Sequence, residues 1–209
     1  MAQFLKAVIF DYGNVLCRHQ ERSDLDSMAA LCGMGASDFE KAYWRNRMEY
    51  DQGRLPASDY WWRVSPDTSR DGALDKLIEL DNLSWARPDD VMVRWAKLVR
   101  EHGLRIAILS NMPLAMREHL DRDCAWMPTF DQRTFSCDVH MAKPDPAIYK
   151  HCLRGLGVSP SDTLFLDDRI ENIDAAEALG IHGLLFHDAM SADLALRSQY
   201  DLPELDIFG

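Results

Sequence analysis

The segment AVIFDYGNVL, residues 7–16, is an apolar run that ends in a carboxylate and is followed by a short flexible turn. The continuous apolar residues from Val8 to Phe10 are typical of a strand buried on both faces of a parallel sheet. Such a strand ends at the sheet edge where open α/β folds bind ligands, so Asp11 is a candidate site residue. Gly13 is expected to let the backbone pass close to whatever Asp11 touches. The alternative interpretation is a strand followed by a helix-capping Asp.

A second apolar strand with acidic residues at its end, TLFLDDR, spans residues 163–169. Two parallel strands of this type bring three carboxylates together, those of Asp11, Asp167 and Asp168. Like charges at close range raise one another's pKa unless a cation lies among them. Because ligand sets made only of oxygen suit Mg²⁺, the three residues predict a magnesium site. Helix-capping aspartates explain one such strand end more readily than two.

Two further segments add a hydroxyl, an amide and a cation. RIAILSN, residues 105–111, is a strand that ends in Ser110 and Asn111. MAKPDP, residues 141–146, places Lys143 just before a helix that begins with proline. The order of polar groups along the chain is therefore Asp, Ser, Lys and then paired Asp.

Strands alternate with helices from residue 84 onward, which predicts an α/β fold with a doubly wound, mostly parallel sheet and helices on both faces. The elements expected there are helices over 88–102, 113–120, 147–156 and 172–179, and strands around 106, over 134–137, and around 164 and 184. Residues 18–83 show helical apolar spacing and no convincing strand. We therefore predict a core formed by residues 1–17 and 84–209 and a helical cap formed by residues 18–83.

These segments resemble the motifs of the haloacid dehalogenase-like hydrolase superfamily, in its phosphatase branch. Asp11 matches the first motif, Ser110 the second, Lys143 the third, and Asp167 with Asp168 the fourth. Four motifs in the right order and roughly the right spacing are strongly specific, although each alone is not. The resemblance covers the whole chain and implies a Rossmann-like core with a small helical cap of the C1 type. The local sequence is most similar to a subgroup that includes a bacterial sugar-1-phosphate phosphatase.

The resemblance implies a Mg²⁺-dependent phosphatase in which the Asp11 carboxylate attacks phosphorus and forms an aspartyl-phosphate. It assigns the metal to Asp11, the Gly13 carbonyl and Asp168, with Asp167 orienting Lys143 or a water on the metal. The substrate is then a small phosphorylated metabolite, such as a sugar phosphate. The residues assigned to the phosphate group and the substrate are Ser110, Asn111, Lys143 and Asn14.

One position departs from the family pattern. Most phosphatases of this superfamily carry a second Asp two residues after the nucleophile as general acid and base, and here that position is Gly13. Three explanations stay open: a substrate with a good leaving group, such as an anomeric sugar oxygen, a substitute group on the cap, or a slow or silent enzyme. His19 is the nearest titratable residue in sequence, and an exposed hinge histidine is its simpler interpretation.

Two other functions are alternatives to a phosphatase. Haloacid dehalogenases also lack the second Asp, but they carry Asp-x-Tyr-Gly-Thr and need no metal, whereas this chain has Asp-Tyr-Gly-Asn-Val. The Asp167–Asp168 pair without Mg²⁺ would repel a carboxylate substrate, which disfavours dehalogenation. A non-catalytic metabolite-binding protein could keep the same fold. Candidates for substrate contacts on the cap are Arg45, Arg47, Tyr50 and Asp51.

Composition narrows the partners and the compartment. The 209-residue chain carries a formal net charge of -11 at pH 7, which argues against nucleic acid and anionic membrane as partners. Its five scattered cysteines lack Cys-x-x-Cys spacing and are expected to be reduced thiols of a cytoplasmic protein, not zinc ligands. We expect no signal peptide, because the chain enters a strand almost at once. The oligomeric state does not follow from the sequence.

Overall fold

A computed structural model describes residues 4–66 and 72–206 of the chain. The strands are β1 (Ala7–Phe10), β2 (Arg105–Ser110), β3 (Gln132–Phe135), β4 (Thr163–Asp167) and β5 (His182–Leu185). The helices are α1 (Arg22–Leu31), α2 (Ala36–Arg45), α3 (Arg47–Asp51), α4 (Ala57–Val64), α5 (Ala73–Ser84), α6 (Asp90–Glu101), α7 (Leu114–Asp123), α8 (Ser136–Val139), α9 (Pro146–Leu156), α10 (Ile170–Glu177) and α11 (Ala189–Gln199). The strands form one parallel sheet in the order β3-β2-β1-β4-β5.

The sheet is covered by helices on both faces, as its sequence predicts. Along β1 the side chains alternate, so that Val8 and Phe10 pack in one apolar cluster while Ile9 packs in the other. The first cluster includes side chains of α6, α7 and α11, and the second includes side chains of α9 and α10. Each fully buried large side chain contributes about 1.5–3 kcal/mol by leaving water. The predicted doubly wound α/β fold is confirmed.

The order of the strands places a binding crevice beside β1. The chain runs outward from β1 to β2 and β3, and then returns to the other side of β1 to form β4 and β5. Ligands of open α/β sheets bind at the carboxyl ends of the strands where the order reverses in this way. The reversal lies between β1 and β4, so the polar residues that follow these two strands flank it.

Several elements differ in extent from the prediction. The strand expected over 134–137 is β3, which spans Gln132–Phe135, and α8 begins at Ser136. High strand propensity ends at Phe135, because Ser136, Cys137 and Asp138 follow it. The Ser136 hydroxyl accepts a hydrogen bond from the Met112 backbone N–H, and this tertiary contact accompanies the turn. Helix α7 extends to Asp123, beyond the predicted end.

Helices α1 to α5 lie between β1 and β2 and have an apolar cluster of their own. Its largest members are aromatic, and Tyr43, Tyr60 and Trp61 pack edge-on or tilted against one another. Helix α5 spans Ala73–Ser84. The division into a core and a cap at residues 18–83 stays a prediction. We refer to these residues as the helical insert. Within the described ranges, no helix is both long enough and apolar enough to span a bilayer.

Candidate active site

The register of the sheet brings the polar strand ends level with one another. Phe10 lies opposite Ile108 on β2 and Leu166 on β4, so the next residues, Asp11 and Asp167, end their strands side by side. Ser110 ends β2 on the other side of Asp11 and is buried. Three of the predicted site residues therefore converge because the three strands are parallel and in register.

The turn after β1 is shaped by Asn14 and not by Gly13. Asp11 accepts a hydrogen bond from the Tyr12 backbone N–H at 2.6 Å. Gly13 has a φ of -62°, which any residue adopts, and a Cβ built on it would lie 3.7 Å from the Trp85 ring. The left-handed residue is Asn14, with a φ of 60°. Gly13 is thus not required by backbone conformation, and space exists beside it.

Lys143 lies between two carboxylates at the centre of the site. Its Nζ is 2.8 Å from Asp11 Oδ1 and 2.7 Å from Asp167 Oδ2, and all three side chains are buried. The Asn111 side chain holds the lysine backbone, because its Oδ1 accepts from the Lys143 N–H at 2.9 Å and its Nδ2 donates to the Lys143 carbonyl at 3.0 Å. Asn111 therefore positions Lys143 through its side chain.

Burial and neighbouring charge set the ionisation of this group. Burial raises the pKa of Asp11 to about 7, against the lowering effect of Lys143 and with a further increase from Asp167. Burial lowers the pKa of Lys143, but the two carboxylates outweigh it and raise that pKa above its usual value. Lys143 is therefore a fixed ammonium at neutral pH, and a second cation near Asp11 would hold that carboxyl ionised.

The paired aspartates have different surroundings. Asp167 is fully buried, and its oxygens accept hydrogen bonds from Lys143, from the Arg169 backbone N–H at 2.9 Å and from Asn172 Nδ2 at 2.9 Å. Asp168 is half-buried and accepts a hydrogen bond from Asn14 Nδ2 at 2.7 Å. The contacts of Asp167 hold other protein groups in place. Asp168 lines the cavity, and its carboxylate can accept further contacts there.

The donor set around Asp11 fits Mg²⁺. Carboxylate oxygens of Asp11, Asp167 and Asp168 lie within 4.8 Å of one another. Beside them, Asn14 Oδ1 is buried without a hydrogen-bond partner in the described part of the chain. An orphaned carbonyl oxygen next to a cluster of carboxylates is costly unless a cation satisfies it. Oxygen ligands alone suit a hard cation such as Mg²⁺.

These residues open into one cavity of about 420 Å³ between the strand ends and the helical insert. The predicted site residues that line it are Asp11, Gly13, Asn14, Ser110, Asn111, Lys143 and Asp168. The cavity also has an apolar lining, which we call the apolar wall, and its members are Trp44, Met48, Trp85, Met112 and Met116. Trp44 and Met48 are 48% and 41% exposed and are therefore accessible to a molecule bound in the cavity.

The residues of the insert that the sequence singled out fall into different places. Arg47 and Asp51 line the cavity and are buried, and Arg47 Nε donates to Asp51 Oδ1 at 2.8 Å. Tyr50 is buried against Tyr60, with ring centroids 4.3 Å apart, and does not line the cavity. His19 is exposed and is not among the residues that line the cavity.

Sequence reasoning missed part of the site. Asn172 fixes Asp167 from the first turn of α10, and its spacing of five residues after Asp167 was the available signal. Trp44 and Met48 have helical apolar spacing that is equally typical of core residues, so only the fold shows that they border the cavity.

Comparisons with known proteins identify the family of this chain. Residues 5–180 match the family model of the haloacid dehalogenase-like hydrolases. The chain is 25% identical over 197 residues to a sesquiterpene phosphatase of Aspergillus oryzae, an alignment that covers 94% of this chain and 97% of that protein. It is 24% identical over 188 residues to a phosphatase of Mycobacterium tuberculosis, with 87% of each chain covered.

A solved structure shows the same fold. A haloacid dehalogenase family enzyme of Bacteroides thetaiotaomicron, in complex with magnesium and inorganic phosphate, has a TM-score of 0.65 and 19% identity to this chain. The likeness covers 86% of this chain and 93% of that one. Because the family model spans most of the sequence and the sheet carries its motif residues in one cavity, this chain is a hydrolase of the haloacid dehalogenase-like family.

Proposed function

We propose that the protein is a Mg²⁺-dependent phosphatase that hydrolyses a small phosphorylated metabolite through an aspartyl-phosphate on Asp11. The observation that carries this proposal is the position of Lys143, which lies between Asp11 and Asp167 at the floor of a cavity bordered by Asp168. A buried nucleophile, a fixed cation and a set of oxygen ligands are the groups that phosphoryl transfer uses.

In this mechanism the contacts of Asp11 orient its attack. Tyr12 N–H and Lys143 Nζ both bind Asp11 Oδ1, so we assign the attack on phosphorus to Oδ2. Lys143 and the Ser110 hydroxyl stabilise the negative charge of the phosphoryl oxygens. Asn111 keeps Lys143 in position through both of its amide atoms. Water then attacks the aspartyl-phosphate and releases inorganic phosphate.

Mg²⁺ would be held by Asp11 and Asp168, with the Gly13 carbonyl and Asn14 Oδ1 as further oxygen donors. The bound ion supplies charge neutralisation for the phosphate as it approaches the carboxylates. Asp167 supports the site indirectly, since its oxygens accept hydrogen bonds from Lys143, the Arg169 backbone N–H and Asn172. This division agrees with the sequence-based assignment of the two aspartates.

The activity is tested directly with an aryl phosphate. We expect hydrolysis of p-nitrophenyl phosphate with Mg²⁺ and loss of that activity in excess chelator, with recovery when Mg²⁺ is added back. Full activity in the chelator would contradict the proposal. Chloride release from 2-chloropropionate without metal would favour a dehalogenase, and phosphate binding without turnover would favour a non-catalytic binding protein.

The substrate is the finer part of the proposal. Sugar phosphates are the class that the sequence suggested, whereas the relative from Aspergillus oryzae is a sesquiterpene phosphatase, which points to terpenoid phosphates instead. Trp44, Met48 and Trp85 give the cavity an apolar lining that a hydrocarbon leaving group would cover. We therefore favour a phosphate ester whose leaving group is apolar.

Removal of the apolar wall should lower the rate for such esters selectively. Trp44→Ala and Met48→Ala each delete surface that an apolar chain would cover, and burial of one such side chain is worth about 1.5–3 kcal/mol, or ~10–100-fold in kcat/KM. We expect losses of this size for decyl phosphate and small changes for methyl phosphate. The measurement is kcat/KM for both esters and for a sugar 1-phosphate.

Trp62→Ala is the matched control, because Trp62 is an exposed tryptophan of the same insert that does not line the cavity. It should leave both alkyl esters unaffected. A wild-type preference for the sugar phosphate over decyl phosphate would support the sequence-based substrate class and contradict the apolar one.

A further inference from the structure

We propose that Asp51, at the end of α3, is the general acid that protonates the leaving oxygen and so replaces the acid that is missing at Gly13. The inference rests on the proposed phosphatase function. It assigns to the helical insert a catalytic group for the reaction that Asp11 begins.

The first observation is the placement of Asp51. It lines the same cavity as Asp11 and belongs to α3 of the helical insert. Its backbone carbonyl accepts a hydrogen bond from the Ser136 hydroxyl, which in turn accepts from the Met112 N–H at 3.0 Å. Met112 is two residues beyond Ser110, so this chain of hydrogen bonds fixes the end of α3 directly against the loop that borders the phosphate site.

The second observation is that the other ionisable groups along the cavity have different roles. Asp11 is the nucleophile, Lys143 is held by two carboxylates, and Asp168 belongs to the metal site. The Tyr12 hydroxyl donates to the Trp85 carbonyl at 2.7 Å, and burial raises its pKa far above the neutral range. The guanidinium groups of the cavity do not release protons at neutral pH. Among the described residues that line the cavity, Asp51 is the carboxyl left for acid catalysis.

The third observation is the environment of the Asp51 carboxyl. Arg47 holds Oδ1, while no hydrogen bond to Oδ2 comes from residues 4–66 or 72–206. Burial raises the pKa of Asp51 to about 6, against the lowering effect of Arg47 and with a further increase from Asp81. A carboxyl with a pKa near the working pH is suited to general acid catalysis.

The charged and titratable groups around the Arg47–Asp51 pair come from every helix packed against α3. They are Tyr43 on α2, Tyr50 on α3 itself, Tyr60 on α4, Asp81 on α5 and Cys137 on α8. The tyrosines and the cysteine have pKa values raised by burial and stay neutral, so Arg47 and Asp81 are the charges that act on Asp51.

The reaction has two steps, and Asp51 transfers a proton in each. The bond from Asp11 Oδ2 to phosphorus forms while the bond from phosphorus to the leaving oxygen breaks, and the Asp51 proton moves to that oxygen to give the free alcohol. In the second step the Asp51 carboxylate takes a proton from the attacking water, whose oxygen binds phosphorus and displaces the Asp11 carboxylate. One ester and one water give one alcohol and one phosphate, and both aspartates return to their starting state.

The test is the dependence of rate on the leaving group in the Asp51→Asn variant. An alkoxide needs a proton to leave and a nitrophenolate does not, and general acid catalysis is worth about 10²–10⁴-fold. We expect kcat for a primary alkyl phosphate to fall by that factor, with only a few-fold change for p-nitrophenyl phosphate. In the wild type, alkyl phosphate hydrolysis should fall as pH rises above the Asp51 pKa, and the variant should lack that fall.

Two further variants separate chemistry from structure. Asp81→Asn removes the other carboxylate partner of Arg47, at 3.0 Å, and a charge that raises the pKa of Asp51. It should therefore move the fall in alkyl phosphate hydrolysis to lower pH while the acid itself is kept. Gly13→Asp should restore alkyl phosphate hydrolysis to Asp51→Asn, because the backbone and the space at Gly13 accept a side chain. Equal losses on both esters in Asp51→Asn, or an unshifted pH profile for alkyl phosphate in Asp81→Asn, would overturn the proposal.

If Asp51→Asn does not fold, the wild-type protein still decides the matter, because a pH-independent rate on alkyl phosphates through this range contradicts an acid with the Asp51 pKa. Absence of any Mg²⁺-dependent p-nitrophenyl phosphate hydrolysis in the wild type would instead contradict the proposed function itself. The two failures are therefore distinguishable.

Discussion

Asp11→Asn should abolish phosphatase turnover while the protein stays folded. The amide is nearly the same shape as the carboxylate, can still accept from the Tyr12 N–H and Lys143 Nζ, and cannot form the aspartyl-phosphate. Removal of a covalent nucleophile costs on the order of 10⁴–10⁶ in kcat. The measurement is kcat for p-nitrophenyl phosphate with saturating Mg²⁺, together with thermal unfolding of both proteins.

Stability gives an independent check on Asp11. Its folded pKa of about 7 lies above the value of 3.8 for the free side chain, so between these values the native state binds more protons than the unfolded state. The free energy of unfolding of the metal-free protein should therefore fall as pH rises from about 4 to about 7. This contribution should be absent from Asp11→Asn, which should be at least as stable as the wild type at neutral pH.

Asp89→Asn is the matched control for the loss of a carboxylate. Asp89 caps α6 through the Val91 and Met92 N–H groups, lies outside the cavity, and can be replaced by asparagine, which also caps helices. It should keep full activity. Turnover by Asp11→Asn close to that of Asp89→Asn would exclude Asp11 as the nucleophile.

The second large effect concerns the paired aspartates, whose substitution should affect different properties, the Mg²⁺ requirement in one case and the stability of the fold in the other. Asp168→Ala should raise the Mg²⁺ concentration for half-maximal activity by more than about 100-fold. Loss of a residue that only supports a metal ligand lowers metal affinity by about 10–100-fold, and loss of a direct ligand should lower it more. Asp167→Ala should mainly destabilise the fold, by about 3 kcal/mol, because it removes a buried partner of Lys143 and leaves Asn172 without its acceptor.

Magnesium titrations of activity and urea unfolding in chelator measure the two effects separately. If Asp167→Ala raises the Mg²⁺ requirement as much as Asp168→Ala does, the assignment of direct ligand and supporting carboxylate is reversed. If neither variant changes the requirement, the oxygen cluster around Asp11 is not the magnesium site.

The course of the sheet was predictable because its strands carry continuous apolar residues that end in polar ones. This pattern predicts a buried parallel strand and its carboxyl end in two segments, from Val8 to Asp11 and from Leu164 to Asp167. Element boundaries were less predictable, since residues 136 and 137 were assigned to the strand over 134–137 but form the start of α8. There a hydrogen bond from a distant loop, not local propensity, accompanies the change.

The site residues could likewise be predicted in part from the sequence. Asp11, Ser110 and Asp168 could be named from sequence because strand ends of a parallel sheet meet at one edge. Lys143 could be named from its place in the order of the family motifs. The separate roles of Asp167 and Asp168 correspond to different burial and hydrogen bonding in the structure, although the sequence shows only two adjacent acids.

The sequence alone determined the fold class and the chemical groups at the floor of the cavity, because both depend on patterns within single strands and on the order of motifs along the chain. Only the tertiary structure decided what faces those groups. Trp44, Met48 and Asp51 lie on α2 and α3, which are not paired with β1 as its neighbouring strands are. Their position beside the site of Asp11 therefore depends on how these two helices pack against the core. Local periodicity carries no information about that packing, which is why the apolar wall and the candidate proton donor became visible only in the folded chain.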